Sequence, residues 1–429
     1  MHQYTHLLQN EIVCALGCTE PSAVAMAVAK AAETLGKKTD RIELSVSGNV
    51  LKNAMHVGIP KTNLKGIEIA AALGCIAGRS DYRLEVLKDI GETDIQNALR
   101  MVQEKKIRIS VADTSERLYI KAVCFHGEEQ ASAVIQKYHT NITSVCFNDE
   151  TLYFKEEKQM EEKASDMNRL TVKKIFNYVC SVTVDELKFL DEVIDRNMKI
   201  AQEGLKKEYG LGVGKHLYEK KLQSGQMDFQ TYLVSLVSAA IDARMAGCTL
   251  PVMSTNGSGN QGLTASIPVI AAAELMGSKE EQKYRALALS ELITIHVKGH
   301  IGKLSALCGC AIASSVGVSC ALTYLMGGSL HNIEYAIMNM VADISGLICD
   351  GAKSGCALKI ATSVNGAIQC ANLAVDQVKA PQNDGIVCKD VEQTIKNLGK
   401  LGNHGMSMTD HVILDMMLAQ KDLTLESKI

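Results

Sequence analysis

Four cysteines fall in two glycine- and alanine-rich stretches, "SALCGCAIASS" at 305–315 and "GLICDGAKSGCALK" at 346–359. Thiols in such settings serve as buried packing, disulfide partners, zinc ligands or the thiolates of an iron–sulfur cluster. Cys308 and Cys310 form a C-x-C, and Cys349 and Cys356 a C-x6-C. Structural zinc favours short C-x2–4-C knuckles, often in pairs, and neither stretch contains one. Iron–sulfur clusters accept several Cys spacings. Glycines at 346, 351 and 355 would let the chain wrap tightly and aim backbone N–H groups at sulfide. Core packing stays open beside that reading.

Three further segments carry groups suited to binding. In "LGCTEPSA" (16–23), Cys18 precedes Thr19, Glu20 and Pro21, and a helix follows. A helix start attracts anions and lowers a thiol's pKa. In "MSTNGSGNQGLTASIP" (253–268), Asn256, Gly257, Ser258 and Gly259 form a polar turn before a helix, able to hold a carboxylate or phosphate. It lacks the G-K-[ST] of a Walker A loop and is not a G-x-G-x-x-G that follows a strand. In "GNVLKNAMHVGIPKT" (48–62), Lys52, Asn53, His56 and Lys61 follow a strand. A capping motif, a helix connection and a solvated basic loop are the bland alternatives. His296 and His300 share a helical face without an H-E-x-x-H.

The elements that must position these groups divide into two regions. Residues 1–160 alternate helical and strand patterns, with "RIELSVSG" (41–48) and four or five further strands after residue 106. Helices are expected at 20–36, 65–78 and 83–106, over an antiparallel sheet. Residues 156–169 are charged and aperiodic, as in a linker. From 170 to 429 the pattern is helical throughout, and several helices are apolar on all sides. The expected fold class is α+β: an N-terminal mixed domain at 1–160 and an all-α domain at 170–429.

Composition narrows the function classes. The 429 residues carry a net charge of −3 with both signs interspersed, so no nucleic-acid or anionic-membrane footprint exists. Residues 304–330 lack charge, but their serines and glycines and the absence of basic flanks fit a helix inside a protein core better than a membrane span. The N-terminal residues lack a signal-peptide pattern. Fourteen cysteines in that context point to the reducing cytoplasm. The apolar helices are compatible with a homodimer.

The ordered motifs GCTEP, LKN…GIP, DARMAG, TNGSGNQG, LSALC and SGLICDGAKSGCALK together resemble the UPF0597 family of L-cysteine desulfidases, relatives of the iron–sulfur L-serine dehydratases. The resemblance covers nearly the whole chain. It implies an oxygen-sensitive [4Fe–4S] cluster with three ligands, which by position are Cys308, Cys349 and Cys356. It also implies that Cys18 contacts substrate or cluster. Cys310 stands outside this set, because related sequences carry alanine there. The Cys349–Cys356 spacing is shorter than in serine dehydratases.

The chemistry so implied is β-elimination of L-cysteine to pyruvate, ammonia and hydrogen sulfide, with an open iron as Lewis acid. Thr19, Glu20, Asn53, Arg244 and the Asn256–Gly259 turn are the expected substrate contacts, the substrate being a small amino acid. Cys18 and Lys52 are the expected catalytic residues, with Lys303 and His56 as further candidate bases. L-Serine dehydration is the alternative. A pyridoxal-phosphate lyase with Lys353 as Schiff-base lysine, or a non-catalytic sensor of an amino acid or cluster, are the competing classes.

Overall fold

The computed structural model describes residues 2–155, 170–302 and 305–419. The expected linker at 156–169 and the candidate base Lys303 lie outside the described residues. Eight strands occur among them: β1 (Ile12–Ala15), β2 (Arg41–Val46), β3 (Ile107–Val111), β4 (Tyr119–His126), β5 (Glu129–Gln136), β6 (Ile142–Phe147), β7 (Glu150–Phe154) and β8 (Val252–Thr255). Six form one sheet in the order β3-β2-β4-β5-β6-β7. Period-2 alternation sends Ile42, Leu44, Ile120, Ala122, Ala131 and Ala133 to one buried face. The helix Thr19–Leu35 covers that face with alanines and ends at Gly36, whose φ of 63° suits a left-handed cap. Helix Ile67–Ala77 packs on it so closely that a Cβ at Gly74 would lie 2.4 Å from the Ala25 carbonyl oxygen.

Two expectations are corrected here. The sheet is mixed, because β3 pairs with β2 in parallel. Helices Gly48–Ala54, Ile67–Ala77 and Glu92–Gln103 lie between them in sequence, a crossover long enough for parallel pairing. The helix expected at 83–106 is confined to Glu92–Gln103. Gly91 caps it, with its N–H donating to Asp94 Oδ2 at 2.9 Å, and Arg83 upstream has a positive φ of 52°.

The second region is helical, as its periodicity predicts, apart from β8. Helix Gly309–Leu325 runs through the middle with hardly a polar face to solvent, which explains the charge-free stretch. Gly317 allows the neighbouring helix Glu280–Ile301 to approach, since a Cβ there would lie 2.4 Å from the Ser290 carbonyl oxygen. Buried serines bond locally: Ser314 Oγ donates to the Gln261 carbonyl at 3.1 Å, and Ser315 Oγ to Ser363 Oγ at 2.9 Å. Among the described residues no helix is long and apolar enough to cross a membrane.

Glu291 sits inside this bundle at 0% exposure. Thr255 Oγ1 donates to its Oε2 at 2.6 Å, and Oε1 has no partner among the described residues. Burial pushes its carboxyl up to about 8 from 4.5. The folded state therefore holds this proton more tightly than the unfolded chain. Its contribution to stability is full below about pH 4.5 and is lost as pH rises through about 8. Glu291→Gln is expected to remove that slope, which reaches ~1.4 kcal/mol per pH unit. Urea unfolding of both proteins between pH 5 and 8 checks this, and parallel stability curves would refute it.

Segments from both chain ends cross between the two cores. Helix Gln3–Glu11 packs Tyr4 and Leu8 into the helical core, and β1 pairs antiparallel with β8. In the other direction, helix Thr409–Ala419 places Leu414 and Leu418 in the core under the mixed sheet. The seam between the cores is thus tied from both sides.

Candidate active site

A cavity of about 90 Å³ opens at this seam, and Cys18, Cys308, Cys310, Cys349 and Cys356 all line it. Local backbone structure explains their convergence. Leu307 and Ile348 form an isolated antiparallel bridge. The Cys308 N–H donates to the Leu347 carbonyl at 2.8 Å, and the Cys349 N–H to the Ala306 carbonyl at 2.7 Å. Cys308 is also the cap residue of helix Gly309–Leu325, and Cys356 is the first residue of helix Cys356–Val375. The Cys356 thiol faces the Gly351 carbonyl at 3.8 Å, and Cys310 Sγ lies 3.4 Å from Ser258 Oγ. All fourteen cysteines are free thiols.

The thiols are not equivalent. The Cys308 thiol donates toward Cys349, and the Lys52 and Lys298 ammonium groups add attraction, so Cys349 is held below the usual thiol range. Its neighbour Cys308 is raised, because it donates to Cys310 as well as to Cys349 and is buried. Burial pushes Cys18 up to about 11 and Cys356 up to about 12. The low-pKa effect expected for Cys18 at a helix start is therefore outweighed by desolvation.

The same cavity has a polar lining beside the thiols. Thr19 Oγ1 donates to Glu20 Oε2 at 2.9 Å, and Asn53 Nδ2 to Glu20 Oε1 at 3.1 Å. Burial opposes the charge on Glu20, yet the facing His139 imidazole and the Thr19 hydroxyl bring its carboxyl down to about 2. Arg244 Nη1 donates to Asn260 Oδ1 and Nη2 to the Gly17 carbonyl, both at 2.7 Å. Asn53 Oδ1, Arg244 Nε, Gln261 Oε1 and both amide atoms of Asn256 are buried with no partner among the described residues. Asn256 and Gly257 turn the chain with φ of 49° and 79°, and Ser258 caps the helix Gly259–Leu275.

Of the residues singled out from sequence, Cys18, Thr19, Glu20, Lys52, Asn53, Arg244, Asn256, Gly257, Ser258, Cys308, Cys349 and Cys356 line the one cavity. Gly259 does not line it. Its missing side chain makes room for Arg244, whose Nε lies 2.5 Å from where a Cβ would be. His56 is not part of the lining, and His296 is engaged by Glu392, with 2.8 Å between Nε2 and Oε2. Sequence reasoning missed His139, Gln261 and Lys298. His139 comes from the turn between β5 and β6, which reads as an ordinary hairpin connection. Lys298 had a signal, being the one lysine in the stretch "LITIHVKGH" of a buried helix. It is buried, burial lowers its pKa, and its Nζ lies 2.4 Å from where a Cβ at Gly309 would be. A larger open groove of about 720 Å³ beside Lys37, Arg100 and Glu104 contains none of the expected site residues.

Residues 82–415 match the family described as serine dehydratase alpha chain. The match begins within the first region and so extends beyond the helical one. A UPF0597 protein of Bacteroides fragilis is 45% identical over 419 residues, 97% of each chain. A UPF0597 protein of Clostridium perfringens is 43% identical over 97% of this chain and 98% of its own. On these matches the chain belongs to the serine dehydratase alpha-chain family and to the UPF0597 family.

Proposed function

We propose that the protein is a lyase that eliminates the β-substituent of a small amino acid, with L-cysteine as substrate and pyruvate, ammonia and hydrogen sulfide as products. The observation that carries this reading is the set of unsatisfied polar groups among the residues that line the cavity with the thiols. An unpartnered buried polar atom costs ~1–3 kcal/mol, so five in one cavity call for a ligand. Arg244 Nε and Asn256 Nδ2 are spare donors, suited to a carboxylate. Asn53 Oδ1, Asn256 Oδ1 and Gln261 Oε1 are spare acceptors, suited with the Glu20 carboxylate to an ammonium. A zwitterionic amino acid presents both.

The donor set fits a [4Fe–4S] cluster, as the family resemblance implies. Cys308, Cys349 and Cys356 would hold it. Two of them stand at helix N-termini, and Lys52 adds positive charge, both favourable to an anionic group. Among the described residues no three His, Cys, Asp or Glu side chains close on a single ion. A cluster asks instead for thiolates on separate irons. When bound, it supplies a Lewis acid matched to a soft thiolate leaving group.

The chain's own residues supply the rest. Arg244 and Asn256 fix the substrate carboxylate, and Glu20 and Asn53 its ammonium. Lys52 Nζ donates to Asp410 Oδ1 and to the Cys349 carbonyl, so it serves as a fixed cation. Lys298, whose burial favours the neutral amine, takes the Cα proton at Nζ. The serine dehydratase match favours L-serine as the second substrate to test. Lys353, the lysine that a pyridoxal-phosphate reading requires, pairs with Asp350 and does not line the cavity. Free thiols throughout suit a reducing cytoplasm.

The test is anaerobic purification and cluster reconstitution, followed by iron and acid-labile sulfide analysis and assays on L-cysteine and L-serine. Sulfide and pyruvate from L-cysteine are expected. Iron-loaded protein that releases pyruvate from neither amino acid would end this reading.

A further inference from the structure

Lys52 is 1% exposed, and its ammonium bridges two distant parts of the chain. Nζ donates to Asp410 Oδ1 at 2.6 Å and to the Cys349 carbonyl at 2.9 Å. The second Asp410 oxygen accepts from Asn49 Nδ2 at 2.8 Å. Asp410 stands in the first turn of helix Thr409–Ala419, and that helix lies on Gly48–Ala54, the helix that carries both Asn49 and Lys52. The fit is close: a Cβ at Gly48 would meet Leu414 Cδ2 at 3.0 Å.

The Cys349 peptide is therefore anchored on both sides. Its N–H is given to the Ala306 carbonyl and its carbonyl receives Lys52. Two residues on, Gly351 presses against Lys52 so closely that a Cβ would lie 2.5 Å from the Lys52 carbonyl oxygen. A buried ammonium is tolerated when a carboxylate compensates it and each N–H finds an acceptor. Asp410 supplies that carboxylate. Without it, Lys52 is driven toward water, and the Cys349 carbonyl loses its donor.

We infer that Asp410 is a positioning residue: it holds Lys52 in place, and Lys52 sets the peptide that carries the Cys349 thiol. The last helix thereby fixes one wall of the cysteine cavity. The functional meaning rests on that cavity being the working site, but the contact itself is tested without turnover.

The experiment alkylates the reduced, cluster-free, full-length protein with iodoacetamide and follows each cysteine by mass spectrometry. In Asp410→Asn the Cys349 rate is expected to rise about tenfold, the change that ~1.4 kcal/mol of lost anchoring produces. Cys308 and the exposed Cys180 should change little. Asp410→Glu, which keeps the charge, should restore most of the protection. Lys52→Met removes the same anchor together with a charge that favours the Cys349 thiolate, so its rise is read as the rate per thiolate, from the pH dependence of alkylation, and the double variant should add little to it, because the residues act in one network. A wild-type Cys349 rate in Asp410→Asn overturns the inference. So does an equal rise at Cys180, which marks general loosening. Should Asp410→Asn fail to fold, a wild-type Cys349 rate per thiolate in Lys52→Met overturns it equally.

Discussion

Cys349→Ser is expected to leave the protein folded but unable to retain iron, with elimination activity down by more than about a thousandfold. A Lewis acid contributes several kcal/mol to such a reaction, and each ~1.4 kcal/mol is a factor of ten. Cys349 is the thiol whose surroundings most favour the thiolate, because Cys308 donates to it and two lysines face it. Serine keeps the shape and removes the soft ligand. Iron and sulfide content per chain, measured beside activity, checks the assignment. Cys310→Ala is the matched control, since Cys310 lies in the same cavity but stands outside the expected ligand set. Full iron content in Cys349→Ser, or equal iron loss in both variants, would refute the three-ligand assignment.

Arg244→Lys should lower kcat/KM about a hundredfold or more, mostly through KM. Arg244 is 3% exposed, its fork is spent on Asn260 and Gly17, and Nε has no partner among the described residues, which suits the proposed carboxylate contact. A lysine ammonium is a single point donor without the planar fork, so it cannot span the separate positions that Nη1, Nη2 and Nε occupy. Losing a buried charged contact costs ~2–5 kcal/mol, more than enough for the stated effect. Steady-state kinetics with a thermal melt separates binding loss from unfolding. An unchanged KM in a stable Arg244→Lys protein would place the substrate carboxylate elsewhere.

Much of this arrangement is legible in the sequence. The cysteines at 308, 349 and 356, the GCTEP helix start and the TNGSGN turn can be read as site material because glycine, polar residues and thiols are concentrated there. Their meeting in one cavity depends on tertiary contacts that local patterns do not encode. The Leu307–Ile348 bridge is a single pair of residues, too short to show a period. β1 is four residues long, too short to show an alternation, yet it finds β8 some 240 residues away in sequence. His139 is invisible for the same reason: a hairpin turn reveals its role only when Gly257 is seen against its ring. The parallel placement of β3 is implied by the helices that precede it, whereas strand alternation by itself says nothing about direction.

The exchange of terminal segments between the cores bears on how the molecule is made. A ribosome releases residues in order, so Leu414 and Leu418 reach their socket under the mixed sheet after the other buried residues of that core. Until then a nascent chain has a gap in its first-made core and an unneutralised Lys52 beside Cys349. A polypeptide that stops short of residue 410 lacks the carboxylate that holds Lys52 and cannot complete this wall of the cavity.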